Sequence, residues 1–93
     1  MVYVVGTLKV ENFDKWKEFF EKNPYDRQKS GGKEARIFRN LDDQNEVNII
    51  FKWDTIENAK KFFENKSLRE TLQKQAGVQN IEVKYLEEVA KTI

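Results

Sequence analysis

Apolar and polar side chains alternate along EVNIIFKW, residues 46–53, which predicts a β-strand with two different faces. One face is strongly apolar and carries Val47, Ile49, Phe51 and Trp53. The other face is mixed and carries Asn48, Ile50 and Lys52. Such a strand is expected to place its apolar face under helices and its mixed face on the open side of a sheet.

Three more strands are expected around this one. Val2 to Val10 alternates in the same way, with Val2, Val4, Leu8 and Val10 on the apolar side. Glu34 to Asn40 and about Ile81 to Val89 are the other two predicted strands. Residues 41–45, LDDQN, have typical turn chemistry, so the second and third strands are expected to form a hairpin.

The first connection between strands is expected to be helical. Asn12 is a typical N-cap, and Trp16 and Phe20 recur at helical spacing behind it. Pro24 suits the first position of a further short helical turn, because a proline lacks the N–H that would be unpaired there. Gly31-Gly32 is expected to end that turn.

The second connection carries two capping signals. Asp54 with Glu57, and Ser67 with Glu70, have the spacing of capping boxes, in which the first side chain accepts a hydrogen bond from the helix N-terminus. These signals predict a helix in two parts that ends at Gly77.

The element order predicts one α+β domain over residues 1–93, with a ferredoxin-like split βαββαβ topology and a four-stranded antiparallel sheet. With both helical connections on one face, the bare face of the sheet is expected to carry Tyr3, Val5, Thr7, Phe38, Asn48, Ile50, Lys52 and Leu86. This surface is too apolar to stay open to water. A second copy of the chain is expected to cover it, giving a homodimer.

Composition excludes several kinds of site. The chain has no cysteine and no histidine, which removes disulfides, thiolate chemistry and the commonest transition-metal ligand. No metal and no cofactor is expected.

The charge balance and the lack of targeting segments limit partners and location. Lys+Arg number 17 and Asp+Glu 16, with the signs interspersed, so no nucleic-acid partner is expected. No segment predicts export or membrane insertion, and a cytoplasmic location is expected. The charged fraction of 35% is a hint of a thermophilic source.

Several segments resemble one known group of proteins. These are VENFDKW at residues 10–16, Arg27, the pair Gly31-Gly32, IFRNLDDQNEV at residues 37–47, WDTIENA at residues 53–59, and the stretch from Ser67-Leu68 to Ala76-Gly77-Val78. Together they resemble the dimeric α+β barrel superfamily, and within it the antibiotic-biosynthesis-monooxygenase-like group and small uncharacterised, cyclase-labelled proteins. The resemblance implies a barrel closed across a dimer, with a pocket between each sheet and its helices or inside the barrel.

The resemblance implies several functions and excludes one. Members of the group include cofactor-free oxygenases, haem-degrading enzymes and polyketide cyclases. The haem-degrading members supply a histidine, which this chain lacks, so haem ligation of that kind is not expected.

The leading hypothesis is a homodimer that binds an aromatic or polyketide-like compound as a cofactor-independent monooxygenase or cyclase. The alternative is a non-catalytic ligand-sensing or structural dimer, and whether the chain is an enzyme stays open. RNA binding is a distant third, because the third strand lacks exposed stacking aromatics.

The expected ligand-binding residues lie on the bare face, which offers hydrogen-bonding groups among apolar ones. They are Tyr3, Thr7, Phe38, Asn48 and Lys52. A mixture of apolar walls and a few polar anchors is typical of a small-molecule pocket, and it is also typical of an ordinary dimer interface.

Other conspicuous residues have plainer interpretations. Trp16 and Trp53 are expected in the core rather than as pocket walls. Arg27 and Arg39 are interpreted as solvated or interface arginines, with a substrate anion as the alternative. Asp42-Asp43 is interpreted as turn chemistry rather than a metal site.

Overall fold

The computed structural model describes residues 2–22 and 24–93. Its elements follow in chain order as β1 (Val2–Val10), α1 (Phe13–Lys22), α2 (Pro24–Lys29), β2 (Gly32–Arg39), β3 (Glu46–Trp53), α3 (Ile56–Phe63), α4 (Lys66–Gln75) and β4 (Val78–Leu86). This is the predicted βαββαβ order, with each helical connection divided into two short helices. No helix in residues 2–22 and 24–93 has the length and hydropathy that crossing a bilayer would need.

The four strands form one antiparallel sheet in the order β2-β3-β1-β4. Val4 of β1 lies opposite Phe51 of β3 and Tyr85 of β4, whereas Val5 lies opposite Ile50 and Lys84. Successive residues therefore point to opposite faces of the sheet. The register puts all eight predicted bare-face residues on the same side, so that prediction is confirmed.

The core lies between the other face of the sheet and the helices. Its buried side chains are Val4, Leu8, Val10, Trp16, Val47, Ile49, Phe51, Trp53, Ala59, Phe63, Ala76 and Val78. The ring of Phe51 lies 6.1 Å from Phe20 of α1 and 4.9 Å from Phe63 of α3, centroid to centroid, so both helical connections pack on one face. Apolar burial of this kind is the main force that holds a small domain together.

Both tryptophans are core residues, as predicted. Trp16 is 1% exposed and Trp53 is fully buried. The indole Nε1 of Trp53 donates a hydrogen bond to the Ser30 carbonyl at 2.9 Å, so its polar atom is satisfied inside the core. This bond joins the end of β3 to the segment that leads from α2 into β2.

Two strand boundaries differ from the prediction. The second strand begins at Gly32 rather than Glu34, and the fourth covers Val78–Leu86 rather than about Ile81 to Val89. β4 starts early because Gly77, at φ +66°, ends α4 and turns the chain directly into the sheet, where Val78 pairs with Val10.

The two predicted N-caps in the second connection are each displaced. The Thr55 hydroxyl, not Asp54, accepts from the Asn58 N–H at 3.2 Å and caps α3. Asp54 instead accepts from the Thr55 N–H and from the Asn58 amide side chain. Asn65, not Ser67, caps α4, because its side-chain oxygen accepts from the Ser67 N–H at 2.8 Å. The predicted first cap is correct, since Asn12 accepts from the Lys15 N–H at 3.0 Å.

Candidate functional site

The strongest candidate site is an apolar cavity of about 110 Å³ between the sheet and the helices. Its lining residues are Gly6, Leu8, Trp16, Phe19, Phe20, Asp26, Arg27, Ile49, Phe51, Phe62, Phe63, Leu68, Leu72, Ile81 and Val83. The pocket lies between the sheet and the helices, which is one of the two positions that the sequence resemblance implied.

Gly6 forms part of the floor of this pocket. It lies in the interior of β1, is buried, and faces the helices between Ile49 of β3 and Val83 of β4. Every other helix-facing position of β1 carries a valine or leucine, so Gly6 is the one helix-facing position of this strand where no side chain covers the backbone. The missing side chain leaves space over the centre of the sheet that the helix side chains do not fill.

Aromatic rings form much of the wall. Trp16 and Phe20 of α1 stack at 5.2 Å between centroids, and Phe62 and Phe63 of α3 meet edge to face at 5.1 Å. Phe51 joins the two sides, at 4.9 Å from Phe63. Contacts of this kind hold the ring planes in fixed orientations, so the wall presents a preformed aromatic surface.

Arg27 of α2 supplies a positive charge to the pocket. Its guanidinium carbon lies 3.8 Å from the centroid of the Phe20 ring, and both Nη1 and Nη2 donate to the Phe20 carbonyl at 3.2 Å. Partial burial lowers the pKa of Arg27, but a guanidinium remains protonated in proteins. Within residues 2–22 and 24–93 it forms no ion pair. Arg27 is half-buried against the Phe20 ring, and its interpretation as a solvated or interface arginine stays a prediction.

The chemical groups in the pocket are few. Asp26 and Arg27 are the only ionisable or hydrogen-bonding side chains in the described lining, apart from the indole of Trp16. The lining contains no hydroxyl and no amine among the described residues. Such a surface can bind an apolar ring and can hold one anionic or carbonyl group, and it offers little for proton transfer.

The pocket continues into a more polar surface groove of about 390 Å³. The two share Asp26, Phe62 and Leu68, and the groove is further lined by Lys29, Ser30, Asn65, Ser67 and Thr71. A ligand that is too long for the inner cavity could thus extend between α2 and α4 into a region with hydroxyl and amide groups.

The five predicted ligand-binding residues lie together, but outside this pocket. Tyr3 lies opposite Lys52 across β1 and β3, with the Lys52 ammonium 5.9 Å from the Tyr3 ring centroid. The Thr7 hydroxyl donates to Asn48 Oδ1 at 3.0 Å, and Phe38 lies opposite Asn48 on β2. All five are on the bare face, so a ligand at these residues would occupy a site separate from the apolar cavity.

The bare face is open in the single chain. Phe38 is 48% exposed, Ile50 is 37% exposed and Leu86 is 47% exposed. Phe38 and Ile50 lie on the neighbouring strands β2 and β3, and Leu86 lies on β4 at the other edge of the sheet. Large exposed apolar side chains spread over one face of a sheet are typical of a surface that another molecule covers.

The remaining conspicuous residues have structural roles. The Asn40 side-chain oxygen accepts from the Asp42 and Asp43 N–H groups, and Asp43 accepts from the Asn45 N–H, which confirms the turn interpretation. No cluster of three or more metal-ligating side chains occurs in the described part of the chain. Arg39 is exposed and lies over the Phe13 ring at 4.6 Å from its centroid, in agreement with a solvated arginine.

Comparison with known proteins gives similarity in structure. No protein-family model matches the chain, and no curated protein matches it. SnoaB, a cofactor-independent oxygenase from Streptomyces nogalater, superposes with a TM-score of 0.76 at 12% identity, over 97% of this chain and 94% of SnoaB. A candidate antibiotic biosynthesis monooxygenase from Bordetella bronchiseptica superposes with a TM-score of 0.73 at 11% identity, over 96% and 97% of the two chains. A dimeric ferredoxin-like protein from an uncultured marine organism gives a TM-score of 0.63 at 16% identity, over 100% and 99%.

The chain has the fold of these proteins. The predicted resemblance to the antibiotic biosynthesis monooxygenases is therefore confirmed at the level of the fold, and so is the ferredoxin-like α+β class. The superposition extends over nearly the whole of both chains in each case, so it includes the helices and the central strands that form the pocket.

Proposed function

We propose that the chain binds a small, planar aromatic or polyketide-like molecule in the cavity between the sheet and the helices, with Arg27 at its polar end. The observation that carries this proposal is an aromatic-walled cavity of about 110 Å³ that includes one positively charged side chain without an ion pair in the described residues. Clefts with apolar walls and a few polar groups are the usual form of a small-molecule site.

The size of the cavity limits the ligand. An engineered apolar cavity of about 150 Å³ binds benzene, and the present cavity is smaller, at about 110 Å³, so it has room for one aromatic ring at most. A larger ring system would keep one ring inside and place the remainder in the adjoining groove, beside Ser67 and Thr71. The ligand is thus expected to be apolar at its buried end and more polar at the other.

Arg27 favours an anionic group on the ligand. A guanidinium has five N–H donors, and the Phe20 carbonyl accepts from only two nitrogens, so donors remain for a carboxylate, phenolate or enolate oxygen. The surrounding apolar rings exclude water and strengthen such a contact.

The structural likeness to a cofactor-independent oxygenase supports an oxidation reaction. Without a cofactor, the electrons must come from the substrate, which requires an electron-rich anion. A substrate CH₂ group plus O₂ would give C=O plus water, with one oxygen atom entering each product. The Arg27 charge would favour the reactive phenolate or enolate by lowering the pKa of the substrate.

A non-catalytic ligand-sensing or structural dimer is the second candidate. The observation that favours it is that the exposed Asp26 is the only general acid or base in the described lining besides the Arg27 guanidinium, whereas an enzyme usually provides a positioned acid or base. Oxygen uptake with an electron-rich polyhydroxynaphthalene separates the candidates: uptake that depends on the protein supports the oxygenase, and binding without uptake supports the sensor.

Binding is tested by calorimetric titration with naphthoate and its neutral isostere naphthamide. The protein is expected to prefer naphthoate, and Arg27→Met is expected to reduce naphthoate affinity about tenfold to hundredfold while naphthamide affinity stays nearly constant. The matched control is Arg39→Met, which removes the same charge from an arginine stacked on Phe13 outside the pocket. If wild-type protein binds neither probe, or both arginine variants behave alike, the proposal is wrong.

We also propose that a second copy covers the bare face. The exposure of Phe38, Ile50 and Leu86 supports this homodimer, and so does the likeness to a dimeric ferredoxin-like protein. Ile50→Glu is expected to give folded monomers in sedimentation experiments, and a wild-type monomer at micromolar concentration would refute the proposal. A ligand role for Tyr3, Thr7, Phe38, Asn48 and Lys52 within such a barrel stays a prediction, as do a cytoplasmic location and the absence of nucleic-acid binding.

A further inference from the structure

Gly6 differs from the other three glycines of the chain. Gly31 and Gly77 have φ angles of +111° and +66°, which side chains rarely tolerate. At Gly32 an added Cβ would lie 2.9 Å from the Arg27 carbonyl oxygen and 3.0 Å from the Trp53 ring. At Gly6 an added Cβ would meet only Phe51 Cε2, at an ordinary contact distance of 3.7 Å.

The fold therefore does not require glycine at position 6. Glycine is unfavourable in a strand interior because it contributes no packing and loses much conformational freedom on folding. The position is nevertheless in β1, one of the two central strands, on the face that forms the core. Glycine within a strand often marks a place where a ligand approaches the backbone.

We propose that Gly6 is a specificity-determining residue, which selects a flat aromatic ring by letting its edge or face contact the β1 backbone between Ile49 and Val83. This inference rests on the proposed binding function and deepens it. The ligand class is an aromatic carboxylate or phenolate whose buried ring is planar. A saturated ring of equal size is thicker than an aromatic ring because of its axial hydrogens, so it is expected to bind more weakly over Gly6.

Aromatic side chains border the pocket around Gly6. Phe51 and Phe63 lie 4.9 Å apart between centroids and form one boundary of the pocket, and Trp16 and Phe20 stack at 5.2 Å on the side of α1. The flat backbone at Gly6 is the part of the floor without a side chain. A methyl group there would occupy space that the ring needs while leaving the aromatic walls unchanged.

The test measures the affinity of naphthoate, benzoate and cyclohexanecarboxylate for wild-type protein, Gly6→Ala and Val47→Ile. Val47→Ile is the matched control, since it also adds one carbon to the buried face of the sheet but lies outside the pocket lining. Gly6→Ala is expected to weaken naphthoate binding on the order of tenfold, as overfilling a packed site does, and to raise the melting temperature. Val47→Ile is expected to leave naphthoate affinity unchanged, and wild-type protein is expected to prefer benzoate to cyclohexanecarboxylate.

A second variant tests the space over Gly6 without adding a group. Val83→Ala widens the floor beside Gly6 and is expected to improve cyclohexanecarboxylate binding relative to benzoate on the order of tenfold. Unchanged naphthoate affinity in folded Gly6→Ala protein, or an unchanged benzoate preference in Val83→Ala, overturns the role of Gly6 while the binding function stands. Failure of wild-type protein to bind any of the three probes overturns both.

Discussion

The same substitution at two glycines of one sheet is expected to change stability in opposite directions. Gly6→Ala should stabilise the fold, because the new methyl group meets only Phe51 at 3.7 Å and enters empty space. Burying one carbon contributes about 0.8 kcal/mol, and the lower entropy of the unfolded chain adds about 0.4–1 kcal/mol. The expected gain in the free energy of unfolding is about 1–2 kcal/mol.

Gly32→Ala should destabilise the fold. Its Cβ would lie 2.9 Å from the Arg27 carbonyl oxygen and within 3.1 Å of two Trp53 ring atoms, and neither group is a flexible chain end. Forcing a group into such packing costs about 1–3 kcal/mol, part of which the unfolded-state effect offsets. The two variants should therefore differ by about 2–4 kcal/mol.

Thermal unfolding followed by circular dichroism measures this difference. For a domain of this size, 1 kcal/mol corresponds to about 4–8 °C, so the two melting temperatures should differ by at least about 8 °C, with wild-type protein between them. Urea titration provides the control, because equal m-values show that both variants unfold from equally compact states. If Gly6→Ala has a lower melting temperature than wild type, the empty space at Gly6 is refuted. If Gly32→Ala has a melting temperature equal to or above that of wild type, the crowding at Gly32 is refuted.

Three further predictions concern contacts outside the pocket. Trp53→Phe removes the hydrogen bond to the Ser30 carbonyl and part of a buried ring, and is expected to cost about 2–4 kcal/mol in urea unfolding; a loss below 1 kcal/mol would contradict this. Thr55→Ala removes the N-cap of α3 and is expected to cost about 1 kcal/mol, whereas a change of the neighbouring Glu57 to Gln, which caps nothing, should have little effect. The Lys9 ammonium donates a hydrogen bond to the Asp43 carboxylate, and this one bond lowers the pKa of Asp43 below 3.8 and raises the pKa of Lys9 above 10.5. The Lys9–Asp43 ion pair therefore stabilises the fold between pH 3.8 and pH 10.5, where both groups are charged. Wild-type protein should melt at a higher temperature than Asp43→Asn in this range, and the difference should shrink as the pH falls below 3.8 or rises above 10.5. A difference that stays constant with pH would contradict the pairing.

The sequence predicts the sheet well because its strands have two unlike faces. The alternation in residues 46–53 places Ile49 under the helices and Ile50 on the bare face, and a shift of one residue would reverse both. Local signals are less decisive at helix ends. Asp54 and Thr55 are both good N-caps, and only the backbone conformation of the turn shows that Thr55 caps α3.

The resemblance implied a pocket between the sheet and the helices as one of two possibilities, but the residues that line it could not be predicted from the sequence. Gly6 interrupts the apolar stripe of β1, which is a visible signal, but a glycine in a strand has several causes. Arg27 is next to Asp26 in a short charged segment and has the sequence context of a surface residue. Its place in the pocket depends on how α2 packs against Phe20, and such tertiary packing has no local pattern.

Pocket and bare face lie on opposite sides of the same strand. Gly6 faces the pocket, and its neighbours Val5 and Thr7 face away from the helices. Because the side-chain period of a strand is two, substitutions at alternate residues of β1 should separate ligand binding from association. A dimer would still influence the pocket, since covering Val5 and Thr7 restrains the backbone on which the ligand is proposed to rest.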